Sequence, residues 1–247
     1  MRIKCALALC IICLAASSAF AAGIEDRIMK QWTRSESYVA VDQRIEMRIT
    51  YYAAEYVEAL IQSEAEKNMW TQDELERYKY NLLKTLKLDD NIAFHVDINV
   101  IGSPIYLAPM DKFFRMRIGR KIYNASDYDK LFNFKLSGRR DGMIWFSRFD
   151  EKTGKDLIEK EKEIRMAILG HFSAATSGKG DLVYIWDITK DDPSVLTKGS
   201  AADRMELDRL LKRMEKLAND RKELDTQLQK VNDEFESINE RIDELQK

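Results

Sequence analysis

The sequence predicts an α+β protein: N-terminal helices packed on an antiparallel sheet or β-sandwich of about six strands, followed by a long C-terminal coiled-coil helix. Three observations predict it. Residues 24–88 contain no Gly or Pro and place apolar residues at steps of three and four. From Asn91 to about Lys190 the apolar period changes to two. From Leu207 to Leu245 seam positions, apolar with the one exception of Arg221, recur at strictly alternating steps of three and four. The chain therefore divides into a leader at 1–21, a helical region at 24–88, an antiparallel β domain at 91–198 and a coiled-coil tail at 201–247.

The leader begins Met1-Arg2-Ile3-Lys4, continues through the apolar stretch Cys5–Ala16 and ends on Ala19-Phe20-Ala21. A positive start, a short apolar core and an A-x-A exit are the three parts of a secretory signal peptide, cleaved after Ala21 or Ala22. An uncleaved anchor is the competing reading, since no charge stands between Cys5 and Glu25. All three cysteines, Cys5, Cys10 and Cys13, lie in this segment. Cleavage would leave no disulfide, no thiolate nucleophile and no Cys-based zinc site. The predicted location is the periplasm or cell envelope, or the extracellular space.

In the helical region Ile45, Ile49, Tyr52, Tyr56 and Leu60 predict one apolar face on a long helix. Thr71-Gln72-Asp73-Glu74 reads as a capping box opening a second helix that carries Leu75, Tyr78, Leu82 and Leu86 and stops near Asp89-Asp90. Strand alternation then appears at Phe94–Val100, closed by Gly102-Ser103-Pro104, and at Phe114–Ile118. Leu131–Leu136 and Met143–Phe149 are two further strands, separated by the turn-rich stretch Ser137–Gly142. Ile164–Phe172 and Leu182–Ile188 complete the six. A parallel nucleotide-binding sheet would need helices between strands, and only Leu157–Glu161 has room for even a short one.

The tail seam reads Leu207, Leu210, Met214, Leu217, Arg221, Leu224, Leu228, Val231, Phe235, Ile238, Ile242, Leu245. A sustained 3.5-residue period keeps one stripe facing a partner helix over about 58 Å. Arg221 occupies a seam position, where a buried cation lowers stability and restricts partner or register. Asp220 and Asp225 would face each other in a parallel in-register dimer. A higher parallel oligomer, an antiparallel pair and docking on the Ile45–Leu60 face all remain open.

Chemistry is sparse. The 40 Lys and Arg balance 42 Asp and Glu, and without Arg2 and Lys4 of the leader 38 bases remain, net −4. That balance excludes an electrostatic nucleic-acid binder, and 24 aromatics exclude a disordered chain. His95 and Asp97 share a strand face, and with His171 they would make a two-His, one-carboxylate metal set. Spacing alone does not pair their strands, so solvent-face residues are the preferred reading and no metal or other cofactor is predicted. Ser177-Gly178-Lys179-Gly180 lacks the first Gly of a phosphate loop and precedes a strand, so it reads as a hairpin connection. No catalytic residue is predicted. Arg115, Arg117, Arg120 and Lys121 form the one dense basic cluster outside the leader, a candidate contact for a phosphate-bearing headgroup or acidic partner, set against a simple solvated strand face.

The expected function is that of a non-enzymatic exported envelope protein acting in protein–protein interaction or assembly. Its partners are itself or a helical envelope protein, not nucleic acid, and a membrane only during export unless the leader stays as an anchor. The alternative is a small-ligand or lipid-binding protein using the aromatic-rich β head.

Overall fold

The computed structural model describes residues 27–196 and 198–246; the leader at 1–21 lies outside the described residues. The protein is α+β, with two antiparallel sheets and a long C-terminal helix. Two compact units meet the chain at Ala202 and Asp203: a head ending at Ala202 and a second unit from Asp203 onward.

In the head, β1 (Thr33–Val39), β2 (Gln43–Tyr51), β3 (Asn91–Ile105), β6 (Asp127–Tyr128) and β7 (Leu136–Ser147) form a five-stranded sheet of order β1-β2-β3-β7-β6. A four-stranded sheet of order β5-β4-β8-β9 comprises β4 (Phe114–Ile118), β5 (Lys121–Asn124), β8 (Glu163–Leu169) and β9 (Asp181–Asp187). One hydrophobic core joins them. Phe94 of the first sheet packs on Trp186 of the second at 5.1 Å between ring centroids. Trp186 Nε1 donates to the Trp32 carbonyl at 2.8 Å, and the Tyr38 and Tyr184 hydroxyls hydrogen-bond at 2.9 Å.

The long helix expected across Ile45–Leu60 does not exist. Residues 43–51 are β2, and the helix α1 begins only at Ala54 and runs to Asn68. Ile45 and Ile49 are spaced by four, which suits either period, and Met47 and Tyr51 complete an alternation of buried side chains. Cross-strand pairing with β3 decides between the periods: Ile45 faces Val100, Met47 faces Ile98 and Ile49 faces Val96. Over residues 27–88 a short helical segment at 27–32 is thus followed by a β-hairpin and then a helix pair. Its second helix, α2 (Gln72–Thr85), starts as the sequence predicts, with both halves of the Thr71–Glu74 capping box formed.

Among the described residues the strands number nine rather than about six. The stretch Ser137–Gly142 is no turn but the interior of β7, with Gly138–Gly142 in continuous register with Val100–Val96 of β3. Gly142 is there for close approach: a Cβ would stand 2.8 Å from Phe132 and 2.9 Å from the Asp129 carboxylate, which accepts from the Met143 N–H. Leu131–Leu136 is mainly a 3₁₀ turn at Lys130–Asn133 that buries Phe132. β3 continues through Gly102-Ser103-Pro104 with an irregularity between Val100 and Ile105. β8 ends at Leu169, so His171 sits in a 3₁₀ turn. The connection containing Ser177–Gly180 joins β8 to antiparallel β9, as a hairpin reading requires.

Helix α1 receives its cap from far along the chain. Ala53, at its N-cap, offers no side-chain acceptor; the Asp191 carboxylate accepts from the Glu55 N–H at 3.3 Å and from the Tyr51 hydroxyl at 3.2 Å. Burial raises the Asp191 pKa above its ordinary 3.8, against the lowering effect of those donors. A carboxyl with a raised folded-state pKa holds its proton more tightly when folded. Its contribution is therefore complete below 3.8 and is lost as pH rises through the folded-state value. Denaturant unfolding at stepped pH should show the stability of Asp191→Asn varying less over that interval than that of the parent. Identical slopes would refute the assignment.

The junction to the tail is also built by side chains of α2. Glu76 accepts from the Ala201 N–H at 3.0 Å, capping the first turn of the long helix α3 (Ser200–Leu245; the single-turn helix Met110–Phe113 is left unnumbered). Gly199, at φ +91°, leaves room for that carboxylate, which a Cβ would meet at 2.7 Å.

Candidate functional site

Two surfaces carry residues predicted to interact: one face of α3 and the uncovered faces of the sheets. The 46-residue α3 is one continuous helix of about 69 Å, without internal Gly or Pro. Its eleven apolar seam residues, Leu207, Leu210, Met214, Leu217, Leu224, Leu228, Val231, Phe235, Ile238, Ile242 and Leu245, are each 44–72% exposed. A stripe of that length open to solvent is far outside the scatter of single exposed apolar residues that any surface carries. Arg221 interrupts the stripe and lies 3.8 Å from Asp225, one turn on, with both side chains exposed. The Ile45–Leu60 face proposed as an internal alternative partner is absent, because Ile45 and Ile49 are core strand residues.

The outer face of the five-stranded sheet is a polar ladder. Arg139 grips Asp97 through Nε and Nη2 at 3.0 and 2.6 Å, His95 Nε2 lies 3.0 Å from Asp141, and Asn99 donates to Glu46 at 3.0 Å. His95 and Asp97 do share a face, as their alternation predicts. Each is nevertheless taken by a neighbour on β7, and the His171 ring lies tilted 5.5 Å from that of Phe113 in the other sheet's loop. No group of three His, Cys, Asp or Glu suited to a metal occurs among the described residues. A shallow cleft of about 390 Å³ on this ladder is lined by Ser35, Ser37, Glu46, Arg48, Asp97 and Arg139.

The basic cluster is divided by the fold. Arg115 and Arg117 lie on the outer face of β4, opposite Ala167 and Arg165 of β8. Arg120 is in the β4–β5 turn, and Lys121 pairs with Ile118 and so belongs to the opposite face from Arg117. In their place the structure brings Arg165, Lys160 and Lys162 beside Arg117 around a cleft of about 790 Å³. Sequence reading missed these three because only antiparallel pairing of β4 with β8, some fifty residues apart, puts them together. The alternation of Glu163, Arg165 and Ala167 with buried Ile164, Met166 and Ile168 was the available signal for their face.

Six large aromatic side chains of the head lie in its core. Trp32, Phe94, Phe114, Phe132, Phe146 and Trp186 are all at most 1% exposed. No described helix is long and apolar enough to cross a membrane. The chain matches no family model, no curated protein and no solved structure.

Proposed function

We propose that the protein is a non-enzymatic, exported cell-envelope component that acts in protein–protein interaction or assembly, its C-terminal helix forming a coiled coil with a second copy or with a helical envelope partner. The observation that carries this reading is the exposed, heptad-spaced seam of α3. Covering a Leu or Ile side chain is worth about 1.5–3 kcal/mol, so a stripe of eleven is a strong drive toward a partner helix. The signal-like segment at 1–21 supports the export part of this reading.

Leu224→Glu with Leu228→Glu places two carboxylates in adjacent seam layers while leaving the head untouched. Light scattering and sedimentation of the full chain should report more than one copy for the parent and one copy for the double variant. The dissociation constant should rise at least about 100-fold, since an unpaired carboxylate in an apolar seam costs several kcal/mol. The reading fails if the parent is monomeric across the accessible concentration range and its α3 binds no helical envelope protein in cross-linking capture.

A further inference from the structure

The four-stranded sheet carries an arrangement that assembly through α3 does not use. Across its outer face one row of side chains runs Ile122, Arg117, Arg165, Ile185, taken in order from β5, β4, β8 and β9. Arg117 and Arg165 are direct cross-strand partners. Like charges placed opposite each other in an antiparallel pair destabilise the sheet. Glu163 answers only one of them, at 2.7 Å from Arg165 Nε. Arg117, Lys160 and Lys162 have no side-chain hydrogen bond or ion pair among the described residues. All three line the same cleft of about 790 Å³ as Arg165.

Acids are present, but two of the three in the cleft are already engaged. Glu163 holds Arg165, and Asp187 accepts from the Thr189 N–H and hydroxyl at 3.0 and 2.5 Å. Glu161, beside Gly119, is the remaining one. Four cationic side chains therefore surround an open cleft against three carboxylates, a formal net charge of +1; the Glu163 charge is spent on Arg165, and Arg117, Lys160 and Lys162 have no ion-pair partner among the described residues. The flanks of the row, Ile122 and Ile185, are 54% and 43% exposed.

We infer that this cleft is a binding site for a phosphate-bearing ligand, held between the Arg117 and Arg165 guanidinium groups with Lys160 and Lys162 adding charge. Planar guanidinium groups bind phosphate oxygens in pairs of parallel hydrogen bonds, and an anion between opposed arginines removes their repulsion. The exposed isoleucines suit a ligand whose phosphate adjoins apolar chains, as in a lipid headgroup. The cationic pocket equally suits a free phosphate or pyrophosphate. The site lies within the head and is independent of what α3 binds.

The test uses the full chain at low ionic strength, with inorganic phosphate and pyrophosphate followed by calorimetry. Vesicles of phosphatidylcholine, with and without phosphatidylglycerol, are followed by co-sedimentation. Arg117→Glu reverses the charge at the centre of the row, and Lys135→Glu makes the same charge change at an exposed position elsewhere. Binding of pyrophosphate, or of anionic vesicles alone, should fall at least about tenfold in Arg117→Glu and stay unchanged in Lys135→Glu. Which probe binds identifies the source of the phosphate. A second readout needs no ligand: Arg117→Glu turns a repulsive pair into an attractive one, so its melting temperature without anion should exceed that of the parent. Added pyrophosphate should then raise the melting temperature of the parent and not of the variant. The inference is overturned if neither phosphate, pyrophosphate nor anionic vesicles bind the parent, or if both variants weaken binding equally.

Discussion

Trp186→Ala should lower the stability of the head by about 3–5 kcal/mol, read as a reduced midpoint in urea unfolding with unchanged slope. Trp186 is fully buried where the two sheets meet. Its ring lies 5.1 Å from Phe94 and 6.5 Å from Tyr184, and its Nε1 donates to the Trp32 carbonyl at 2.8 Å. Removing it opens a cavity between rings that cannot collapse toward one another, because each belongs to a different strand. It also leaves a buried carbonyl without its donor, which adds about 1–3 kcal/mol where water cannot replace it. Trp186→Phe separates the two effects: it retains most of the ring volume and loses the donor, and should cost markedly less than the alanine variant. A loss below about 1 kcal/mol for Trp186→Ala would mean that this contact does not organise the core.

Lys79→Ala should be comparably damaging, by about 3–5 kcal/mol, although lysine is the residue most readily dismissed as surface. The Lys79 side chain is 5% exposed, and its ammonium donates to the Val195 carbonyl at 3.0 Å and the Lys198 carbonyl at 3.4 Å. It also lies 3.3 Å from the buried Glu58 Oε2 of α1, an ion pair without hydrogen-bond alignment. One cation thus ties α2 to α1 and to the segment leading into α3. Without it a buried carboxylate oxygen loses its counter-ion and two carbonyls lose their donor together. Lys79→Met keeps the aliphatic stem, so comparing the two variants in chemical denaturation isolates the charge. Should Lys79→Met unfold within about 0.5 kcal/mol of the parent, the ammonium is not the anchor.

Neither residue announces itself in the sequence. Trp186 alternates with Tyr184 and Ile188, which marks it as inward-facing, and that much is legible. What it meets is not, because Trp32 and Phe94 are 154 and 92 positions away. Lys79 sits between Tyr78 and Tyr80 on a helix whose sequence suggests a solvated polar face there; the returning segment at 193–198 buries it. The Asp191 cap on α1 has the same character, since Asp191-Asp192 looks like an ordinary turn until the fold brings it to Ala54 and Glu55.

The basic cluster shows how far spacing carries. Arg115 and Arg117 are on one face because strand alternation requires it. Arg120 and Lys121 are close in sequence but leave that face at the turn, while Arg165 arrives from β8. Local sequence density of charge is therefore a poor guide to a cationic site on a sheet, where neighbours are set by register.

Determined by the sequence alone were the α+β class, the strands beginning near Phe114 and Leu182, the Thr71 capping box and the heptad spacing of the α3 stripe, apolar except at Arg221. Each depends on interactions within a few turns or on a side-chain period that one strand or helix sets for itself. Tertiary structure decided the remainder: that Ile45 and Ile49 belong to a strand, that Ser137–Gly142 runs through a sheet, that the nine strands of the described residues form two sheets, and that Arg117 meets Arg165. The physical reason is common to all of them. A four-residue spacing fits both helix and strand, and glycine fits both turn and close packing, so the choice falls to partners distant in the chain, whose burial and hydrogen bonds outweigh local preference.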